Sequence, residues 1–209
     1  MKKLKKQQGY SLIELAIVLL VIGVMIAGAL KAKGLITQAK AQSLINQIQQ
    51  VRAGWYAFQD RYGGFAGDID FATHVIGNDQ IKNGNGDGVI ESKAEQGQVW
   101  LQLANAGLIS GQFDGEETPD ASGIECSNQT CLQTPFGGAL RIKDYFGNNQ
   151  NALSTGLNVP GETLRKLDMQ FDDGDPTTGI AQLWDKSGVA CTVSTWAEAE
   201  TTCSLVIEL

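Results

Sequence analysis

One histidine, His74, occurs in 209 residues, with only four prolines and four cysteines. A single imidazole cannot build a multi-histidine metal centre and leaves little for histidine-based acid–base catalysis. The cysteines form no CxxC pair, which removes the common zinc and thiol-redox spacings. No nucleophile elbow, P-loop, metal dyad or dinucleotide fingerprint is present, so no enzyme is expected. Basic residues are also scarce. Lys+Arg total 16 against 23 Asp+Glu, a net charge of -7, and residues 63–209 hold only 7 basic side chains against 21 acidic ones. Such a surface repels phosphate backbones, so no general nucleic-acid binding is expected. Four Pro against 25 Gly, at 43% hydrophobic content, indicate a folded chain with many turns rather than disorder.

Residues 1–9, MKKLKKQQG, form a short basic leader. Tyr10 to Leu30 is an apolar run interrupted only by Ser11 and Glu14. As a helix it spans about 31 Å, enough for the hydrocarbon core of a bilayer. Four lysines ahead of it and an acidic mass behind it place the N-terminus in the cytoplasm and the bulk outside. No small-residue cleavage site follows the run, unlike an ordinary secretory signal. Glu14 is the odd feature. A carboxylate at mid-membrane costs about 2.5–3.5 kcal/mol, less near a helix end, so it calls for compensation. The helix dipole offers a modest source, because an acid in the first turn is favoured and can reach the headgroups.

Gly9, followed by Tyr10-Ser-Leu-Ile-Glu14 and an unbroken apolar stretch, resembles the class III signal of type IV pilins and type II secretion pseudopilins. The resemblance implies an inner-membrane prepilin peptidase that cuts after Gly9 and methylates the new N-terminus at Tyr10, where Phe is usual. Glu14 is then the acid five places in. It is expected to pair with the α-amine of a neighbouring subunit and so to reject subunits arriving out of register.

From Ala41 an apolar stripe runs through Leu44, Ile48, Val51, Trp55, Phe58 and Tyr62 at alternating spacings of three and four, the mark of one helix face packed in a core. Gly63-Gly64 ends it. One helix over residues 10–62 would extend about 80 Å and must protrude from a compact head. Gly23, Gly28 and Gly34 each weaken it by about 1 kcal/mol relative to Ala, and no Pro stands near the end of its apolar half, where common pilins carry one. Residues 63–209 read as an α+β head. The expected elements are a helix at 97–106 and strands at Ala139–Tyr145, Leu167–Phe171, Gly179–Trp184, Val189–Ser194 and Cys203–Leu209. Asp172–Gly179 and Lys186–Gly188 are expected to connect antiparallel neighbours. The resulting order is a leader at 1–9, a helix at 10–62 with 10–30 apolar, and an antiparallel head at 63–209, the layout of the pilin fold. Four cysteines allow three connectivities. Local pairing, Cys126–Cys131 and Cys191–Cys203, is expected, the second like the C-terminal disulfide loop of many pilins.

Residues 83–91 read Asn-Gly-Asn-Gly-Asp-Gly-Val-Ile-Glu, and Asn83 to Ile90 follow the first eight positions of an EF-hand loop. Candidate calcium ligands are Asn83, Asn85, Asp87, the Val89 carbonyl and Glu91. The alternative is a polar turn, since the first ligand is Asn and the twelfth position is Ala94. The turn at Asp172–Asp175 is read as a connection only.

The resemblance implies a filament subunit whose partners are copies of itself or other pilins, the peptidase and an inner-membrane assembly platform, with the membrane as host before assembly. It would pass from a single-pass, N-in inner-membrane protein to an extracellular pilus. Two alternatives stand beside it. One is a type II secretion pseudopilin in a periplasmic pseudopilus. The other, from a different class, is a bitopic adhesin or receptor that never polymerises.

Overall fold

A computed structural model describes residues 11–118, 126, 127, 129–185, 191 and 203–209. Helix α1 runs unbroken from Leu12 to Tyr62 and ends where the Gly63 N–H donates to the Gln59 carbonyl with φ at +75°. The chain divides into two compact units, Met1–Gln42 and Ser43–Leu209. The second unit thus includes the C-terminal part of α1, from Ser43 to Tyr62.

In the first unit the apolar side chains are exposed along the helix: Leu12 is 87% accessible, Leu19 70% and Met25 69%. By length and composition this helix suffices to cross a membrane.

In the second unit the stripe is core. Leu44, Ile48, Val51, Trp55 and Phe58 are each almost fully buried, and burying a side chain of this size stabilises the fold by about 1.5–3 kcal/mol. Trp55 stacks on Phe65 at 5.0 Å and Phe58 tilts against Tyr62 at 4.5 Å. The one-turn helix α2 (Ala72–Val75) follows, then α3 (Lys93–Asn105). Helix α3 starts earlier than its apolar pattern suggests. A capping box sets its origin: Ser92 Oγ accepts from the Glu95 N–H at 3.1 Å, and Glu95 Oε2 accepts from the Ser92 N–H at 3.0 Å. This satisfies two of the helix's orphan donors. Trp100, Leu101 and Leu103 join the same core as the α1 stripe.

The sheet has four strands, β1 (Arg141–Asp144), β2 (Asn151–Ser154), β3 (Ala181–Asp185) and β4 (Cys203–Glu208), in the order β1-β2-β4-β3 and antiparallel throughout. Leu153 faces both Ile142 and Ile207, and Leu183 faces Leu205. The α+β layout with a long N-terminal helix is that of a pilin.

Two expectations change. Strand β2 is absent from the sequence reading. In addition, Leu167–Phe171 is not a strand but the end of helix α4 (Gly161–Phe171). Leu164, Leu167 and Asp168 are buried while Met169 is 60% exposed, so the operative period is 3.6 rather than 2. The Asp172–Gly179 tract consequently joins a helix to β3 and does not close a hairpin. The expected strand Val189–Ser194 and the Lys186–Gly188 connection lie outside the described residues, apart from Cys191.

Candidate functional site

The acidic loop folds around an internal carboxylate. Asp68, 3% exposed, accepts from the Gly86 and Asp87 N–H groups on Oδ1 (3.0 and 3.1 Å) and from the Gly88 N–H on Oδ2 (3.0 Å). Burial raises its pKa, and the Asp87 and Glu95 charges add to this, against the lowering effect of the Gly88 and Gly86 amides. Asn83 Oδ1 accepts from the Thr73 N–H, and Asn85 Nδ2 donates to Asp87 Oδ2 at 2.7 Å. The Val89 N–H donates to Asp87 Oδ1 and the Glu91 N–H to Glu95 Oε2. Asn85 and Asp87 thus come together, Asn83 turns to α2, and Glu91 stays exposed.

Two disulfides join Cys126 to Cys131 and Cys191 to Cys203, with Cα separations of 5.7 and 6.3 Å. Cys203 opens β4, and the Cys191 N–H donates to the Leu183 carbonyl of β3. Cys191 is therefore bridged to the interior strand β4 and hydrogen-bonded to the edge strand β3.

At the other end of the chain, Gly9 and Tyr10 lie outside the described residues. Just inside them, Ser11 precedes the first residue of α1, and its N–H donates to Glu14 Oε2 at 2.8 Å. Ser11 Oγ accepts weakly from the Ile13 N–H at 3.4 Å. Glu14 sits in the first turn, where the helix dipole favours an anion. Behind it, beyond the adjacent residues and the backbone of the same helical turn, nothing lies within 4 Å of a Cβ built on Gly23, Gly28 or Gly34.

Residues 4–30 match the family model described as the prokaryotic N-terminal methylation motif. The motif supports a type IV pilin-like or pseudopilin protein. No curated protein and no solved structure matches the chain. The match runs into the exposed apolar part of α1, and residues 31–209 carry none of it.

The second unit also holds a carboxylate cluster at the acidic turn expected to be a connection only. Carboxylate oxygens of Asp168, Asp172 and Asp173 lie within 4.8 Å of one another. Asp168, in the last turn of α4, is fully buried, and neither of its oxygens has a well-formed hydrogen bond among the described residues. Asp172 Oδ2 accepts from the Ala181 N–H at 3.0 Å. Asp173 accepts from the Asp175 N–H and the Thr178 hydroxyl. Burial first, then the charges of Asp172, Asp173 and Asp175, push the Asp168 pKa up to about 7, opposed only by the nearby Gly174 amide. Sequence spacing alone could have found the group. Four residues along a strand are about 13 Å apart, but along a helix they rise only about 6 Å, so the misassigned element hid the cluster.

Proposed function

We propose that this chain is a structural subunit of a type IV pilus-like filament. The observation that supports this reading is the exposed apolar surface of α1 over residues 12–30, which lies within the methylation motif. Side chains that each favour burial by about 1.5–3 kcal/mol cannot stand in water over residues 12–30. They need lipid first, and then the matching helices of sibling subunits. Before assembly the chain is a single-pass inner-membrane protein with its head outside. Prepilin peptidase removes residues 1–9 after Gly9 and Tyr10 becomes the methylated N-terminus. An inner-membrane platform then passes the helix from lipid into the filament core, and the acidic heads form the exterior. Glu14 meets the Tyr10 α-amine of a neighbour. In apolar surroundings an out-of-register subunit strands both charges, at a cost of about 3–5 kcal/mol. The role is structural and involves no catalysis.

Intact-mass measurement of the mature protein, together with its recovery from sheared surface fibres, tests the reading. The expected product lacks residues 1–9, carries one added methyl group and is abundant in the fibres. A trimmed chain confined to the periplasmic envelope indicates a pseudopilin. An untrimmed chain in cells with active peptidase rejects assembly altogether and leaves the bitopic adhesin or receptor.

A further inference from the structure

We propose that Asp168, Asp172 and Asp173 form a calcium site that ties the end of α4 to the turn leading into β3. The proposal is independent of the filament reading and concerns the head alone.

Three carboxylates within 4.8 Å of one another are mutually repulsive, and here the repulsion is compounded. Asp168 occupies the last turn of α4, which has no basic residue, and Asp172 is its C-cap. The C-terminal end of a helix carries partial negative charge and favours cations over anions. Asp172 and Asp173 each have protein donors, but the two oxygens of fully buried Asp168 have no well-formed hydrogen bond among the described residues; the Gly174 amide approaches them without completing one. A buried polar atom without a partner costs about 1–3 kcal/mol, and a charged one more. One Asp168 oxygen lies within 4.8 Å of an oxygen on each of the other two carboxylates, so a cation between the three groups gives it a partner and offsets the repulsion together.

The donor set selects the ion. All three groups are hard oxygen donors, with no sulfur or imidazole, which suits calcium or magnesium rather than a transition metal. Calcium takes six to eight oxygens in flexible geometry, whereas magnesium demands a near-ideal octahedron. The sides of the site differ in exposure, with Asp168 buried, Asp172 intermediate and Asp173 exposed. An ion can therefore enter past Asp173 and keep water on that side. Gly179 leaves the necessary room: a Cβ there would sit 1.7 Å from Asp172 Oδ2, so any side chain would displace that carboxylate.

The test is thermal unfolding of the full chain in detergent, with CaCl2 titrated against an EDTA baseline. The wild-type midpoint should rise by about 3–10 °C at 10 mM calcium, as expected for a dissociation constant of about 0.1–1 mM, the range of extracellular calcium modules. D173N, altered only at an exposed residue, should weaken the response at least tenfold. D168N places a neutral group of the same shape in the buried position. It should raise the EDTA baseline above that of the wild type and abolish the calcium shift. A wild-type chain indifferent to calcium overturns the proposal, as does an undiminished shift in both variants. Loss of the shift in D87N, with D173N responding normally, would place the ion in the Asn83–Glu91 loop and overturn it equally.

Discussion

The Ser11 N–H donates to Glu14 Oε2 at 2.8 Å, so within one subunit the carboxylate caps its own helix. Capping needs only an acceptor oxygen. Pairing with a neighbour's ammonium needs the negative charge. The conservative variant E14Q separates the two, because its amide oxygen can still accept from Ser11. Membrane insertion and removal of residues 1–9 should proceed as in the wild type. Incorporation into filaments should fall at least tenfold, which corresponds to about 1.4 kcal/mol of lost selectivity. Quantitative immunoblots of sheared fibres against total pilin provide the ratio. An E14Q ratio equal to wild type would reduce Glu14 to a cap.

Lys143 offers a check on the sheet's electrostatics. It is half-buried, with Nζ 4.5 Å from the Tyr145 ring centroid. Burial lowers its pKa below the ordinary 10.5, the Arg141 charge lowers it further, and Asp144 opposes both. Between the lowered value and 10.5 the unfolded chain binds more protons than the folded one, so stability rises with pH across that window. Below it the folded protein carries an ammonium that the fold disfavours. K143M, which keeps the aliphatic stem, should therefore be at least as stable as wild type at pH 7. Its relative advantage should shrink as the pH approaches 10.5. Urea unfolding of both proteins at pH 7, 9 and 10.5 measures the difference, and a constant gap would contradict the burial effect.

The two disulfides should differ in worth. They bridge sequence separations of 12 (Cys191–Cys203) and 5 (Cys126–Cys131), and the chain-entropy relation assigns them about 3 and about 2 kcal/mol. Replacing each pair by serine and titrating the full chain with urea in detergent should reproduce that order. Cys203 is 1% exposed at the start of a strand buried from Cys203 to Ile207, so a serine hydroxyl there adds to the loss. A larger cost for the Cys126–Cys131 pair would show that local packing, not loop closure, governs both.

How far the sequence reveals this molecule depends on the range of the interactions involved. Helix α1 is legible because its signals are local and long: an apolar run, then a stripe from Leu44 to Phe58 at helical spacing. Glu14 as a first-turn acid is legible for the same reason. Strand β2 is not, because Asn151-Ala-Leu-Ser has no β-branched residue and becomes a strand only between β1 and β4. Helix α4 was hidden by the alternation Leu167, Met169, Phe171, which mimics a strand. Leu164 is the residue that restores the helical period, and with it the Asp168 cluster comes into view. Ser92-x-x-Glu95 is a local start signal that lies ahead of the apolar pattern at 97–106, so α3 begins before its apolar run. The convergence of the Gly86, Asp87 and Gly88 amides on Asp68 links two loops through tertiary contact, which no local spacing encodes.

Gly28 gives the sharpest test of what α1 is for. Beyond the adjacent residues and the backbone of its own helical turn, nothing stands within 4 Å of a Cβ at this position, nor at Gly23 or Gly34. No close contact in the single chain therefore requires glycine, and each one costs the helix about 1 kcal/mol relative to alanine. If α1 served only as a membrane anchor, G28A would be neutral or stabilising. If the helix must bend, melt locally or pack backbone-close against siblings on entering a filament, the added methyl and the stiffer helix oppose that step. G28A should then give a precursor that inserts and is trimmed normally, with helicity in detergent equal to or above wild type, but with reduced incorporation into fibres. The double variant G23A/G28A should reduce it further. Circular dichroism of the purified chain and pilin recovery from sheared fibres measure the two sides. Wild-type assembly by both variants would mean that the glycines have no part in polymerisation.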